Sequence, residues 1–94
     1  MGKLSQRLQD FYTHSGNKIL FQNGLTLNQM AWEMWERLSY SAIDPSALSR
    51  VLAGKRTFTP RQLEVFCQIL CLTPHQTESL HEVLHQEINL RFGI

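Results

Sequence analysis

Ser46, Ser49 and Arg50, followed by Lys55, Arg56 and Arg61, are donor groups spaced to meet an extended anion. All but Arg61 lie in the stretch 44–56, which carries both the start and the stop of a short helix. Asp44 can accept from the free N–H groups of a first turn, and Pro45 suits the first helical position, where a missing N–H costs nothing. Gly54 can take the left-handed conformation that ends a helix. At about 100° per residue, Ala47, Leu48, Val51 and Leu52 gather on one side and Ser46, Ser49, Arg50 and Ala53 on the other. With Asp44 used as the cap, the outer face holds no acid, and residues 51–62 add Lys55, Arg56 and Arg61 without a carboxylate. That pattern suits the approach of a helix to DNA. The Arg50 guanidinium can donate two hydrogen bonds to O6 and N7 of guanine, Ser46 and Ser49 can serve bases or phosphates, and the later cations suit phosphate.

Other residues could do different chemistry. Cys67 and Cys71, with His81 and His85, form two i,i+4 pairs that loosely fit zinc-ligand spacing. The plainer expectation is that both cysteines fill the core and that His75, His81 and His85 decorate an exposed helix face, with no metal bound. Trp32 and Trp35 flank the inward stripe of their helix (Leu27, Met30, Ala31, Met34, Leu38). They are expected to widen the core, or else to anchor a partner, together with Leu84, Ile88 and Phe92 toward the C-terminus. There is no phosphate-cradling glycine loop, no nucleophile elbow and no acid pair with a shared pocket, so no enzymatic activity and no cofactor are expected.

Composition bounds these ideas. Ninety-four residues suit one small domain with a single core. A net charge of +1 is far from that of a strongly basic nucleic-acid coat protein. The charge is uneven, however: Glu33 and Glu36 sit on one segment, Glu78, Glu82 and Glu87 on another, and 50–61 is purely basic. Such polarity can orient a weakly charged protein on a phosphate backbone. No apolar run approaches the length of a membrane span, and the N-terminus lacks the apolar core of a signal peptide. Two cysteines four apart inside a helix are no disulfide framework, which points to a reducing cytoplasm.

The elements that would position these residues are announced by one device used repeatedly. Thr26–Gln29, Thr59–Gln62 and Thr73–Gln76 each have the Thr-x-x-Gln form of a capping box, and all three prolines stand at helix starts. The expected helices cover 4–15, 27–39, 45–53, 60–71 and 74–91, with a turn at Asn23-Gly24 and no convincing strand. Residues 19–21 either extend the first helix or form a separate turn. The expectation is an all-α bundle of about five helices, one domain over 1–94, whose long last helix could continue into a partner or a further domain.

Ser49 to Arg56, then Thr59-Pro60 and the apolar ladder Leu63, Phe66, Cys67, Leu70, resemble the phage-repressor-like (Cro/Xre, lambda-repressor-like) helix-turn-helix class. Gly24 to Ala31 is similar to that family's entry into its second helix. The resemblance covers about residues 24–84. Two departures accompany it: the stretch from Ala31 to Leu48 is longer than the family's, by about two helical turns or a longer loop, and Leu27 stands where a phosphate-contacting Gln is usual.

What the resemblance implies is a transcriptional regulator, of bacterial, phage or plasmid origin, that binds specific double-stranded DNA with the 45–53 helix in the major groove. Pro45, Ser46, Ser49 and Arg50 would face the bases. Asn28, Gln29, Lys55, Arg56 and Arg61 would hold phosphate. A homodimer reading two half-sites about one DNA turn apart would gain affinity from few charges. The alternative is a helical protein-interaction or dimerisation module that uses Trp32, Trp35 and the C-terminal helix without DNA.

Overall fold

Each of the three Thr-x-x-Gln segments closes both bonds of its box. Thr26 N–H donates to Gln29 Oε1 at 3.0 Å and Gln29 N–H to Thr26 Oγ1 at 3.3 Å. The corresponding distances are 2.9 and 3.2 Å for Thr59 and Gln62, and 3.0 and 3.1 Å for Thr73 and Gln76. A computed structural model describes residues 3–38 and 44–91. Along them run α1 (Lys3–Leu8), a 3₁₀ turn (Gln9–Phe11), β1 (Tyr12–Ser15), β2 (Lys18–Phe21), α2 (Leu27–Leu38), α3 (Pro45–Leu52), α4 (Pro60–Ile69) and α5 (Pro74–Arg91). The boxes open α2, α4 and α5. Asp44 opens α3, its carboxylate accepting from Ala47 N–H at 2.6 Å, with Pro45 at the first position.

The C-terminal stops are equally specific. After α3, Gly54 takes φ +80°, and Lys55 N–H and Gly54 N–H reach back to the carbonyls of Arg50 and Val51 at 2.9 and 3.1 Å. This is the Schellman arrangement, which satisfies carbonyls the last turn would leave bare. α4 ends identically on Leu72 to Cys67 and Cys71 to Gln68, both 3.1 Å, but with Cys71 at φ +55° in the place of glycine. Cys71 is therefore an exposed cap residue and no core filler, whereas Cys67 is buried as expected.

The N-terminal segment corrects the all-α expectation. The helix expected over 4–15 stops at Leu8, winds into the 3₁₀ turn, and gives way to an antiparallel hairpin pairing Tyr12 with Phe21, Thr13 with Leu20, His14 with Ile19 and Ser15 with Lys18. Gly16 takes φ +65°, as the first residue of a two-residue hairpin loop requires. Thr13, Ser15 and Gly16 are poor helix formers, and pairing supplies the backbone bonds a continued helix would have made. The Asn23-Gly24 turn is present, with Gly24 at φ +89° and its N–H on the Phe21 carbonyl at 2.9 Å.

The result is a mostly helical bundle of five helices with a small hairpin at one side, among the described residues. Its core draws on every helix: Leu4 and Leu8, then Met30, Ala31, Met34 and Leu38, Leu48, Val51 and Leu52, Leu63 and Phe66, Leu80 and Leu84. α4 is the most enclosed, with Val65 and Ile69 buried besides the expected face. The hairpin is tied to it through aromatic rings, Tyr12 to Phe21 at 5.8 Å and Phe21 to Phe66 at 5.7 Å between centroids. α1 runs beside α5, with Arg7 donating to Ser79 Oγ at 2.7 Å. No helix among the described residues is long and apolar enough to cross a membrane.

Candidate nucleic-acid interface

α3 divides as its periodicity requires. Ala47, Leu48, Val51 and Leu52 are buried, while Ser46, Ser49, Arg50 and Ala53 are exposed and Pro45 is half-buried. Lys55 and Arg56 follow on the exposed loop beyond Gly54. The Schellman turn fixes where they leave the helix, because the Lys55 amide is itself bound to Arg50. Ser49, Arg50, Lys55 and Arg56 therefore lie on or just beyond one rigid element, a favourable setting for positional recognition.

The phosphate candidates on other elements have different standings. Asn28 and Gln29 are both exposed in the first turn of α2, but the Gln29 side-chain oxygen is engaged by Thr26 N–H, which leaves its amide NH₂ to offer. Arg61 is already occupied by Glu64 Oε2 at 3.4 Å, with both side chains at least half exposed. A surface pair of that kind is weak and separable. Even so, it cancels charge in a region whose sequence up to Gln62 reads as purely basic.

A cleft of about 400 Å³ joins Ser49 of α3 to Thr26, Leu27 and Asn28 at the start of α2, and both to Asn17, Lys18 and Ile19 of the hairpin. Asn28 and Ser49, two expected contact residues, thus share one wall-lined depression. Lys18 joins them as a cation that the sequence reading passed over. The signal was available in Ser15-Gly16-Asn17, a turn triplet between two short runs with β-branched and aromatic residues. The helical reading of 4–15 concealed it.

The residues proposed for partner contact separate sharply. Trp32 and Trp35 do not widen the core: they are 61% and 47% exposed, with ring centroids 5.9 Å apart. On α2 the buried arc is filled by Met30, Ala31, Met34 and Leu38, and both indoles fall outside it. Trp32 and Trp35 also line a small pocket of about 50 Å³ with Ala31, Asp44 and Pro45, so this face adjoins the start of α3. Leu84 is fully buried and has no surface to offer a partner; Ile88 is partly buried against the core. Phe92 lies outside the described residues.

Burial pushes the Cys67 thiol above its ordinary pKa, and the nearby Glu64 charge adds to this against a hydrogen bond with Thr77. A thiol so placed is a poor nucleophile and a poor metal ligand. Among the described residues no three His, Cys, Asp or Glu side chains come together as a metal site. Comparison of the chain with protein-family models, curated proteins and solved structures gave no match.

Proposed function

We propose that this chain is a duplex-DNA-binding module in which α3 enters the major groove. The observation that supports it most is the outward face of α3: Ser46, Ser49, Arg50 and Ala53 are exposed, none is acidic, and the face continues into Lys55 and Arg56. The shared cleft with Asn28 and Lys18 widens that surface toward phosphates on either side. Pro45, Ser46, Ser49 and Arg50 would meet base edges; Asn28, Gln29, Lys55, Arg56 and, once released from Glu64, Arg61 would meet phosphate. A homodimer would place two such helices about one DNA turn apart. Two free cysteines suit a reducing compartment, in keeping with a cytoplasmic regulator. Selection of random duplexes at low salt is the test. Enrichment of a defined sequence supports the reading, and absence of any enrichment removes it.

A second reading, a protein-contact module, is favoured by the exposed Trp32–Trp35 pair. Of the two it rests on the more direct structural observation, because exposed serines and arginines are ordinary on any surface and paired exposed indoles are not. The two surfaces adjoin, sharing Pro45 and Gln29 at their margins. Trp32→Ala with Trp35→Ala separates them: loss of DNA binding would assign the indoles to the DNA surface, and unchanged DNA binding would leave them for a partner.

A further inference from the structure

The acids of α2 lie beside its indoles. A groove of about 310 Å³ is lined by Leu25, Gln29, Trp32, Glu33 and Glu36, so both glutamates face the same depression as one ring of the aromatic pair. Glu36 is exposed and Glu33 half-buried, and among the described residues neither has an ion-pair partner. Across the pair, the smaller pocket ends on Asp44, whose carboxylate is bound to the Ala47 amide and adds negative charge. Arg37 lies four residues after Glu33, about 40° from it around the helix and about 140° from Trp32, so it borders the Glu33 edge of this face. It makes no ion pair to Glu33 among the described residues, and the carboxylates of Glu33, Glu36 and Asp44 outnumber it. The face is therefore apolar, aromatic and acidic at once. Phosphate is disfavoured there, which makes Gln29, on the wall of the same groove, the weakest of the phosphate candidates, and an acidic partner is disfavoured as well.

We propose that this outward face of α2 docks a Lys- or Arg-bearing segment of a partner protein, its cations resting on the Trp32 and Trp35 rings and pairing with Glu33 and Glu36. The assignment rests on the protein-contact reading of the two indoles and adds the chemistry of what they contact. Indole faces attract guanidinium and ammonium groups, most strongly when water is excluded, and carboxylates beside them accept the remaining N–H donors. The mixed apolar and acidic lining selects a segment that alternates basic with apolar side chains. It disfavours a purely polar basic tail, which would leave the indoles wet.

The test uses the full chain as bait for a displayed library of random peptides, counter-selected against a Trp32→Ala/Trp35→Ala variant. The expected result is enrichment of Lys or Arg interleaved with apolar residues. Synthetic copies of the enriched peptides are then titrated by intrinsic fluorescence, which reports this face directly because Trp32 and Trp35 are the chain's two tryptophans. Glu33→Gln with Glu36→Gln, near-isosteric at a half-buried and an exposed position, should weaken binding by about tenfold. Peptides enriched without basic residues, or binding indifferent to the Glu→Gln change, would overturn the cationic partner and leave the protein-contact reading standing. No enrichment at all would overturn both. Concentration-dependent dimerisation abolished by the Trp→Ala changes would replace the foreign segment by a second copy of this chain.

Discussion

Glu87 on α5 accepts a hydrogen bond from the backbone N–H of Leu4 at 2.6 Å, so the last helix caps the first across almost the whole length of the chain. α1 is six residues long, too short to persist by itself. Its first turn has no acidic side chain of its own, and the Glu87 carboxylate supplies both an acceptor and a favourable charge at the dipole's positive end. Glu87→Ala should cost about 1–2 kcal/mol. It should appear as a lower urea midpoint at unchanged slope, and Glu87→Gln should lose about half as much, since it keeps a neutral acceptor. A wild-type midpoint in Glu87→Ala would show that α1 is held by Leu4 and Leu8 packing alone.

At Cys71 the backbone stands at φ +55°, where an L side chain is strained, and the residue is exposed. Cys71→Gly should therefore stabilise the protein by about 1 kcal/mol, a gain seldom available from glycine. The same substitution logic reverses at Gly54, φ +80°: Gly54→Ala should destabilise by about 1 kcal/mol and loosen the exit of Lys55 and Arg56 from α3. Thermal unfolding of the two variants, read as opposite shifts in Tm, checks both.

Much of this was legible because capping is written locally. Thr59 and Gln62 are three residues apart, and their chemistry needs nothing distant, so the starts of α2, α4 and α5 follow from the sequence. So does the division of α3 into buried and exposed faces. Glu87 over Leu4 is the opposite case, a cap supplied by tertiary contact that no local pattern announces. The hairpin was obscured differently: Leu4, Leu8, Phe11 and Tyr12 keep helical spacing and outweigh the turn signal at Ser15-Gly16-Asn17, while the packing of Phe21 on Phe66, which holds the hairpin to the core, is a tertiary contact that no local pattern announces. Trp32 and Trp35 failed as core residues because Met30, Ala31, Met34 and Leu38 already fill the inward arc of α2.

Cys67 gives a pH dependence with a defined sign. Burial raises its thiol pKa in the folded state above the ordinary value of 9.0, so the folded protein holds the proton more tightly than the unfolded chain. The associated stability is fully present below the unfolded thiol's pKa and is lost as pH rises through the folded one. Tyr12, also raised by burial, acts in the same direction at higher pH. Urea unfolding should therefore show stability falling above about pH 9, more steeply in wild type than in Cys67→Ala. In the native protein a thiol reagent should label Cys71 and leave Cys67 until the chain unfolds. Equal labelling rates would contradict the burial of Cys67.

The phosphate candidates are best distinguished by the one ion pair among them. Lys55 is exposed and, among the described residues, lacks an ion-pair partner, whereas Arg61 must release Glu64 before it can serve phosphate. On the DNA-binding reading, Lys55→Gln should weaken binding to every duplex alike and reduce the slope of log K against log salt by about 0.9. Arg61→Gln should do less, since part of that charge is already neutralised. Glu64→Gln should strengthen binding by freeing Arg61, an effect of opposite sign at a residue that touches no base. Arg50→Ala should differ in kind from all three: it should relax the preferred sequence at one position, at a cost of about 1–3 kcal/mol there, and leave the salt slope nearly as it was. Salt-dependent titrations with the selected duplex and a scrambled one measure all four. If Arg50→Ala and Lys55→Gln weaken both duplexes equally, α3 holds DNA by its backbone and reads no base through Arg50.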